Sequence, residues 1–232
     1  MKIIKTCVFS SMMAFFLFSG LVEASMPGRL DIGAFLTDID IVNTGKKVKN
    51  INMHGVSGDG TLLVYKGLCL KPSFAYAIGD ADYYNLGMNL GFCIPVNDKL
   101  LIVPSAGLAY SDMEFTVDIP MLGLNNVDQK MAARSQNISL DVNYKLHSRF
   151  SVTGILQKAW SQTTTTIDTP ASFPMDLSNK AESTGFNYVL ALNYFLNDNW
   201  AINLAGVLQK SRSKEKHGMD AKAVRLAVGY MF

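Results

Sequence analysis

The sequence predicts an all-β chain, an antiparallel up-and-down transmembrane β-barrel, from three observations. Long stretches alternate apolar and polar residues with a period of two, and short polar turns join those stretches in pairs. Beyond the first 24 residues, no run is long and apolar enough to cross a membrane as a helix.

The clearest stretch is Tyr84 to Val96. Tyr84, Leu86, Met88, Leu90, Phe92, Ile94 and Val96 share one face, and Asn85, Gly87, Asn89, Gly91, Cys93 and Pro95 share the other. Two Gly and a Pro would damage a helix, whereas the unbroken alternation is that of a strand. Gln136 to Leu146 repeats the pattern, with Ile138, Leu140, Val142 and Tyr144 set against Ser139, Asp141, Asn143 and Lys145. Phe186 to Leu196, Trp200 to Leu208 and Lys222 to Phe232 follow it. Leu100 to Tyr110 and Phe150 to Trp160 do so less cleanly, because Gly154 and Lys158 fall on the apolar side.

Asn97-Asp98-Lys99, His147-Ser148-Arg149 and Asn197-Asp198-Asn199 are short turns by residue chemistry, spaced 50 residues apart. The connections between hairpins read as longer loops, over Asp112 to Arg134, Thr163 to Thr184 and Arg212 to Ala221. Short turns at one end and long loops at the other are the pattern of a membrane barrel, periplasmic and extracellular respectively. Leu68 to Ile78 supplies an eighth strand. Short strands at Arg29 to Thr37 and Gly60 to Tyr65, with a tight Lys66-Gly67 turn, make ten; eight is the alternative. Residues 25–66 stand open between barrel strands and a separate N-terminal segment. Large residues from every strand would overfill a small barrel, so they are placed outward on lipid, with Asn, Ser, Gly and Ala inward.

Residues 1–24 have the form of a cleaved signal peptide: Lys2 and Lys5, an apolar Cys7 to Leu21, then Val22-Glu23-Ala24, with the cut before Ser25. Their removal leaves a net charge of +1, since two Lys and Glu23 go from a chain of +2. That balance gives no nucleic-acid signal. Cys69 and Cys93 then remain. A turn centred on Ala81 would set them directly opposite, as a disulfide or as two buried thiols.

The last strand, Val224, Leu226, Val228, Tyr230 and Phe232, alternates to a terminal Phe. It resembles the assembly signal of bacterial outer-membrane barrels, with Val228, Tyr230 and Phe232 as its apolar positions. The nearest likeness is to small opacity-type and OmpA-like barrels. That resemblance implies residence in the outer membrane among lipid and lipopolysaccharide. It also implies delivery by periplasmic chaperones and the barrel-assembly machinery, and host or surface ligands for the adhesin-like members.

Function rests on the lumen or on the loops. Asn89, Asp141, Asn143, Lys145, Asn193 and Arg225 are the candidate lumen lining, with Lys145, Asp141 and Arg225 as gating charges. Few other charges are expected there, so a narrow passive pore for small solutes leads. Phe35, Tyr65, Leu101, Val103 and Phe195 are the candidates to fill the lumen instead. The alternative is a surface adhesin acting through its loops, where Ile119, Met121, Leu122 and Leu124 are apolar and Thr163 to Thr184 is Thr-rich. Strands that simply extend beyond the membrane would account for the same residues. Lys214, Lys216 and Lys222 suit lipopolysaccharide phosphates. Asp80, Asp82, His217, Glu215 and Asp220 resemble an omptin-type protease rim in outline only, because the Asp-x-His spacing of that family is absent. The expected protein is not an enzyme and carries no cofactor or metal. Trp160, Trp200, Tyr110, Tyr144, Tyr194 and Tyr230 are the candidate interfacial girdles.

Overall fold

The computed structural model describes residues 28–119, 124–168 and 177–232; the segment expected to be a signal peptide, Met121 and Leu122 lie outside them. The described residues form ten strands: β1 (Arg29–Asn43), β2 (Lys46–Tyr65), β3 (Leu68–Gly79), β4 (Asp82–Phe92, continued past Cys93 by Ile94–Pro95) and β5 (Leu100–Ile119). They continue with β6 (Leu124–His147), β7 (Phe150–Asp168), β8 (Leu177–Phe195), β9 (Trp200–Ser213) and β10 (Gly218–Met231). Each strand pairs antiparallel with its neighbours in sequence, and β1 pairs with β10, so the sheet closes on itself. Reciprocal hydrogen bonds of 2.8 and 3.0 Å between Gly28 and Phe232 fasten the seam. Following the pairing once round the ring returns to β1 about 12 residues higher, the stagger that goes with strands tilted ~35–45°.

At one end lie Gly28, Phe232 and the turns that follow β2, β4, β6 and β8, all of them short; at the other, the Thr44-Gly45 and Asp80-Ala81 turns are tight as well, and the remaining connections are longer. Lys66 and Gly67 both have positive φ, 38° and 89°, the two-residue turn whose twist matches a hairpin. Asn97 and Asn197 close their turns alike: each side-chain oxygen accepts from two backbone amides, at 2.8–2.9 Å. The end where every connection is short corresponds to the periplasmic end of a membrane barrel. The other end is longer than the sequence reading expects. β6 has 24 residues and β7 and β8 have 19 each, against the ~9–11 that cross a bilayer. Much of what reads as three long loops is therefore strand, and β2 runs 20 residues rather than six.

The reason is that the chemistry of the alternation inverts along the strands. In the lower wall, Leu30, Ile32 and Leu36 point out while Asp31 and Gly33 point in. Higher on the same strands, Asp38, Asp40, Asn50 and Asn52 take the outward positions, and Ile39, Ile51 and Met53 turn inward and are buried. Outside the bilayer water wets the outer face, so the apolar residues withdraw into the barrel. Aromatic pairs mark the boundaries. Trp200–Tyr230 and Phe150–Tyr194, each 4.9 Å between centroids, lie at the periplasmic edge; Tyr84–Tyr110 at 5.7 Å lies at the opposite one.

Candidate functional site

The lumen is built in two layers. The lower layer is polar and crossed by ion pairs. Arg29 donates two bonds of 2.7 Å to Asp31 and a third, also 2.7 Å, to the Asn193 side-chain oxygen. Arg29 is on β1 and Asn193 on β8, with two strands between, so the contact runs across the interior. The close approach uses Gly229, where a Cβ would sit 2.5 Å from an Asp31 oxygen. Asn193, wholly buried, accepts from Asn203 at 2.8 Å and donates to Ser151 and Thr153 at 3.2 Å. Asn143 donates to the same Thr153 hydroxyl. Lys71 on β3 pairs with Asp141 on β6, again across two strands, and Arg225 pairs with Asp59. Asn89 faces inward over Gly107. Lys145 is exposed near the periplasmic mouth and makes no ion pair among the described residues.

This corrects the expectation of a lumen nearly free of charges. Asp141 and Arg225 have partners in Lys71 and Asp59, and Arg29 and Asp31 form a third pair. The partners were hard to find because Arg29, Asp31 and Asp59 lie in the segment left open between barrel and separate unit. Tyr65, expected to fill the lumen, is instead 65% exposed at its turn. Leu101 and Val103 do turn inward, packing beside the two cysteines.

The cysteines are buried free thiols in one cluster, but not in direct register. Cys69 is opposite Gly91, so the turn is centred on Asp80 rather than Ala81. The physical cause is the tie to β2. The Asp80 amide donates to the Asn52 carbonyl at 3.0 Å, while the Asp80 carboxylate accepts from the Asn52 amide at 2.9 Å.

The upper layer of the lumen is apolar. Ile39, Ile51, Met53, Ala77, Met113 and Phe115 form one buried cluster, with Phe35, Tyr83, Met131 and Met219 packed against it. Sequence reading missed this layer because it placed most of these residues, Ala77 and Phe35 excepted, in loops.

At the rim, Asp40 pairs with Lys47 and accepts from Asn50, and the Lys47 ammonium holds its carboxyl below the usual carboxylate range. Arg212 does the same for Asp220, at 2.6 Å. His217 lies 3.4 Å from Glu215. Among the described residues no hydrogen bond or ion pair joins His217 to Asp80 or Asp82. Nor does any group of three His, Cys, Asp or Glu form a metal-binding set there.

No family model and no curated protein matches the sequence. Solved structures do match in shape. The outer-membrane protease OmpT from Escherichia coli aligns over 92% of this chain and 99% of its own, with TM-score 0.53 and 10% identity. Ail, the attachment invasion locus protein of Yersinia pestis, solved with the heparin analogue sucrose octasulfate, aligns over 89% of this chain and 98% of its own at TM-score 0.46 and 15% identity. Neisserial surface protein A aligns over 88% and 97%, at TM-score 0.41 and 10% identity. With its closed ten-strand ring and lipid-suited outer belt, the chain has the fold of the small β-barrels of bacterial outer membranes.

Proposed function

We propose that the protein is exported behind the signal peptide of residues 1–24, is inserted by the barrel-assembly machinery through its Val228-to-Phe232 end, and acts at the cell surface rather than as a conduit. The observation that carries this is the contrast between lumen and wall. The lumen is occupied at two levels, by three ion pairs below and an apolar cluster above. The wall meanwhile overshoots the bilayer on the β5–β8 side. Its outward face there carries Thr164, Thr166, Lys180, Glu182 and Gln162, a polar sheet held clear of the membrane. A rigid sheet of this kind presents side chains to a neighbouring surface with little ordering cost on binding.

A narrow passage is the second reading. It is favoured by Arg225 Nε and Nη2 and Ser57 Oγ, buried atoms without a protein partner that suit water.

One experiment separates the two. The folded protein is recorded in planar bilayers beside a Lys71→Ala/Arg225→Ala variant, while cells displaying it are tested for adhesion with the β5–β6 and β7–β8 hairpins cut to membrane height. The surface reading expects a silent wild type, steps only in the variant, and adhesion lost with the hairpins. Discrete steps in the wild type, with adhesion indifferent to trimming, overturn it in favour of the pore.

A further inference from the structure

The outer wall carries a groove of about 790 Å³ at the top of its lipid-facing lower half, across β8, β9, β10, β1 and β2. Its floor is Gly206, an outward position where an added Cβ would meet nothing within 4 Å. Leu190, Leu208, Val224 and Leu36 rise around it, each more than half exposed. A recess in a lipid-facing wall is filled by whatever the membrane supplies.

The charges at its upper edge indicate which lipid. Lys222 lines the groove, and Lys210 lies diagonally across from it on the next strand, at a separation of ~7–8 Å. Neither makes an ion pair among the described residues. Lys158 adds a third cation on the same face, its ammonium 5.0 Å over the Trp160 ring and 5.8 Å over Phe186. The neighbouring acids are engaged elsewhere: Asp220, directly opposite Lys210, pairs with Arg212; Asp40 pairs with Lys47; and Asp38, directly opposite Lys222, accepts from Asn50. Apolar recess below and unpaired cations above match an acyl chain below and an anionic headgroup above.

We infer that this groove binds the phosphorylated, multiply acylated glycolipid of the outer leaflet, a lipopolysaccharide. One acyl chain lies over Gly206 and a lipid A phosphate lies between Lys210 and Lys222. The inference uses the placement of the long hairpins outside the cell but is independent of what they bind. It favours lipopolysaccharide over phospholipid because the cations sit at the extracellular edge of the belt.

The test is native mass spectrometry of the full protein released from detergent, titrated separately with lipid A and with phosphatidylglycerol. Wild type, Lys210→Gln/Lys222→Gln, Gly206→Phe and the periplasmic-turn control Lys99→Gln are compared, and heat-modifiable migration checks that each is folded. All four changes are at exposed positions, and Gly206→Phe enters open space. The expected result is one retained lipid A on wild type and control, at least tenfold weaker on the other two, with phosphatidylglycerol weak throughout. Equal lipid A retention by all four overturns the site. So does phosphatidylglycerol binding as tightly with the same losses, which would assign the groove to phospholipid. A lipid-free dimer that Gly206→Phe alone disrupts would assign it to a second copy of the chain.

Discussion

The lower and upper halves of this barrel use one backbone and opposite side-chain rules. In the lower half Leu190 and Leu204 face outward, 66% and 51% exposed, while Asn193 and Asn203 are buried inside. In the upper half Asp40 and Asn50 face outward while Ile51 is wholly buried inside. The solvent outside changes from hydrocarbon to water along each strand, and the polarity of the two faces exchanges with it. The lower half therefore has a polar core that must satisfy its hydrogen bonds within itself. The upper half has a conventional hydrophobic core that happens to be enclosed by a barrel. The same periodicity thus carries no fixed meaning for inside and outside until the bilayer is located.

The largest effect is expected from the charge pairs of the lower half. Lys71→Met leaves the Asp141 carboxylate buried without its partner, and a loss of about 3–5 kcal/mol is expected from urea unfolding in lipid vesicles. The double change Lys71→Met/Asp141→Leu should recover most of it, because no buried charge then remains unpaired. In the upper half the corresponding test is a cavity rather than a charge. Ile51→Ala should cost about 2–5 kcal/mol by the same assay, as in the core of a water-soluble protein. A negligible effect there would mean that the upper barrel is not packed as a core.

A third comparison moves the same residue between the two outer faces. Leu204→Arg near the bilayer midplane should cost about 2–4 kcal/mol and slow assembly. Thr164→Arg, outward on the projecting part of β7, should leave folding within experimental error. Equal effects at the two positions would place the membrane boundary wrongly.

The smallest effect is expected from pH. Asp40 and Asp220 have folded carboxyls held low by Lys47 and Arg212. Their contribution is present above the ordinary carboxylate pKa and is lost as pH falls through the lowered folded values. Unfolding midpoints of wild type and Asp220→Asn should therefore converge on acidification below about pH 4 and separate slightly above it. A gap that widens as pH falls would contradict the pairing.

The lower half was legible residue by residue. Tyr84 to Val96 and Phe186 to Leu196 show their lipid face directly, because a wall bounded by hydrocarbon needs an apolar residue at every second position. The turns were legible too: Asn97 and Asn197 are capping residues whichever fold surrounds them. The upper half was not. In Ile39-Asp40-Ile41 and Asn50-Ile51-Asn52 the alternation persists, but its apolar members are few and mixed with charge, so the segments resembled loops. Likewise Lys71 and Asp141 are each ordinary polar residues at inward positions; nothing local says that they meet.

From the sequence came an antiparallel membrane barrel of ten or eight strands with its large residues on lipid, since period and turn chemistry are local properties of the chain. The tertiary structure alone decided what fills the barrel. The stagger of the ring brings strands far apart in sequence across the lumen from one another. Only that geometry pairs Arg29 with Asn193 and Lys71 with Asp141, gathers the apolar cluster above them, and leaves the groove over Gly206 beneath Lys222.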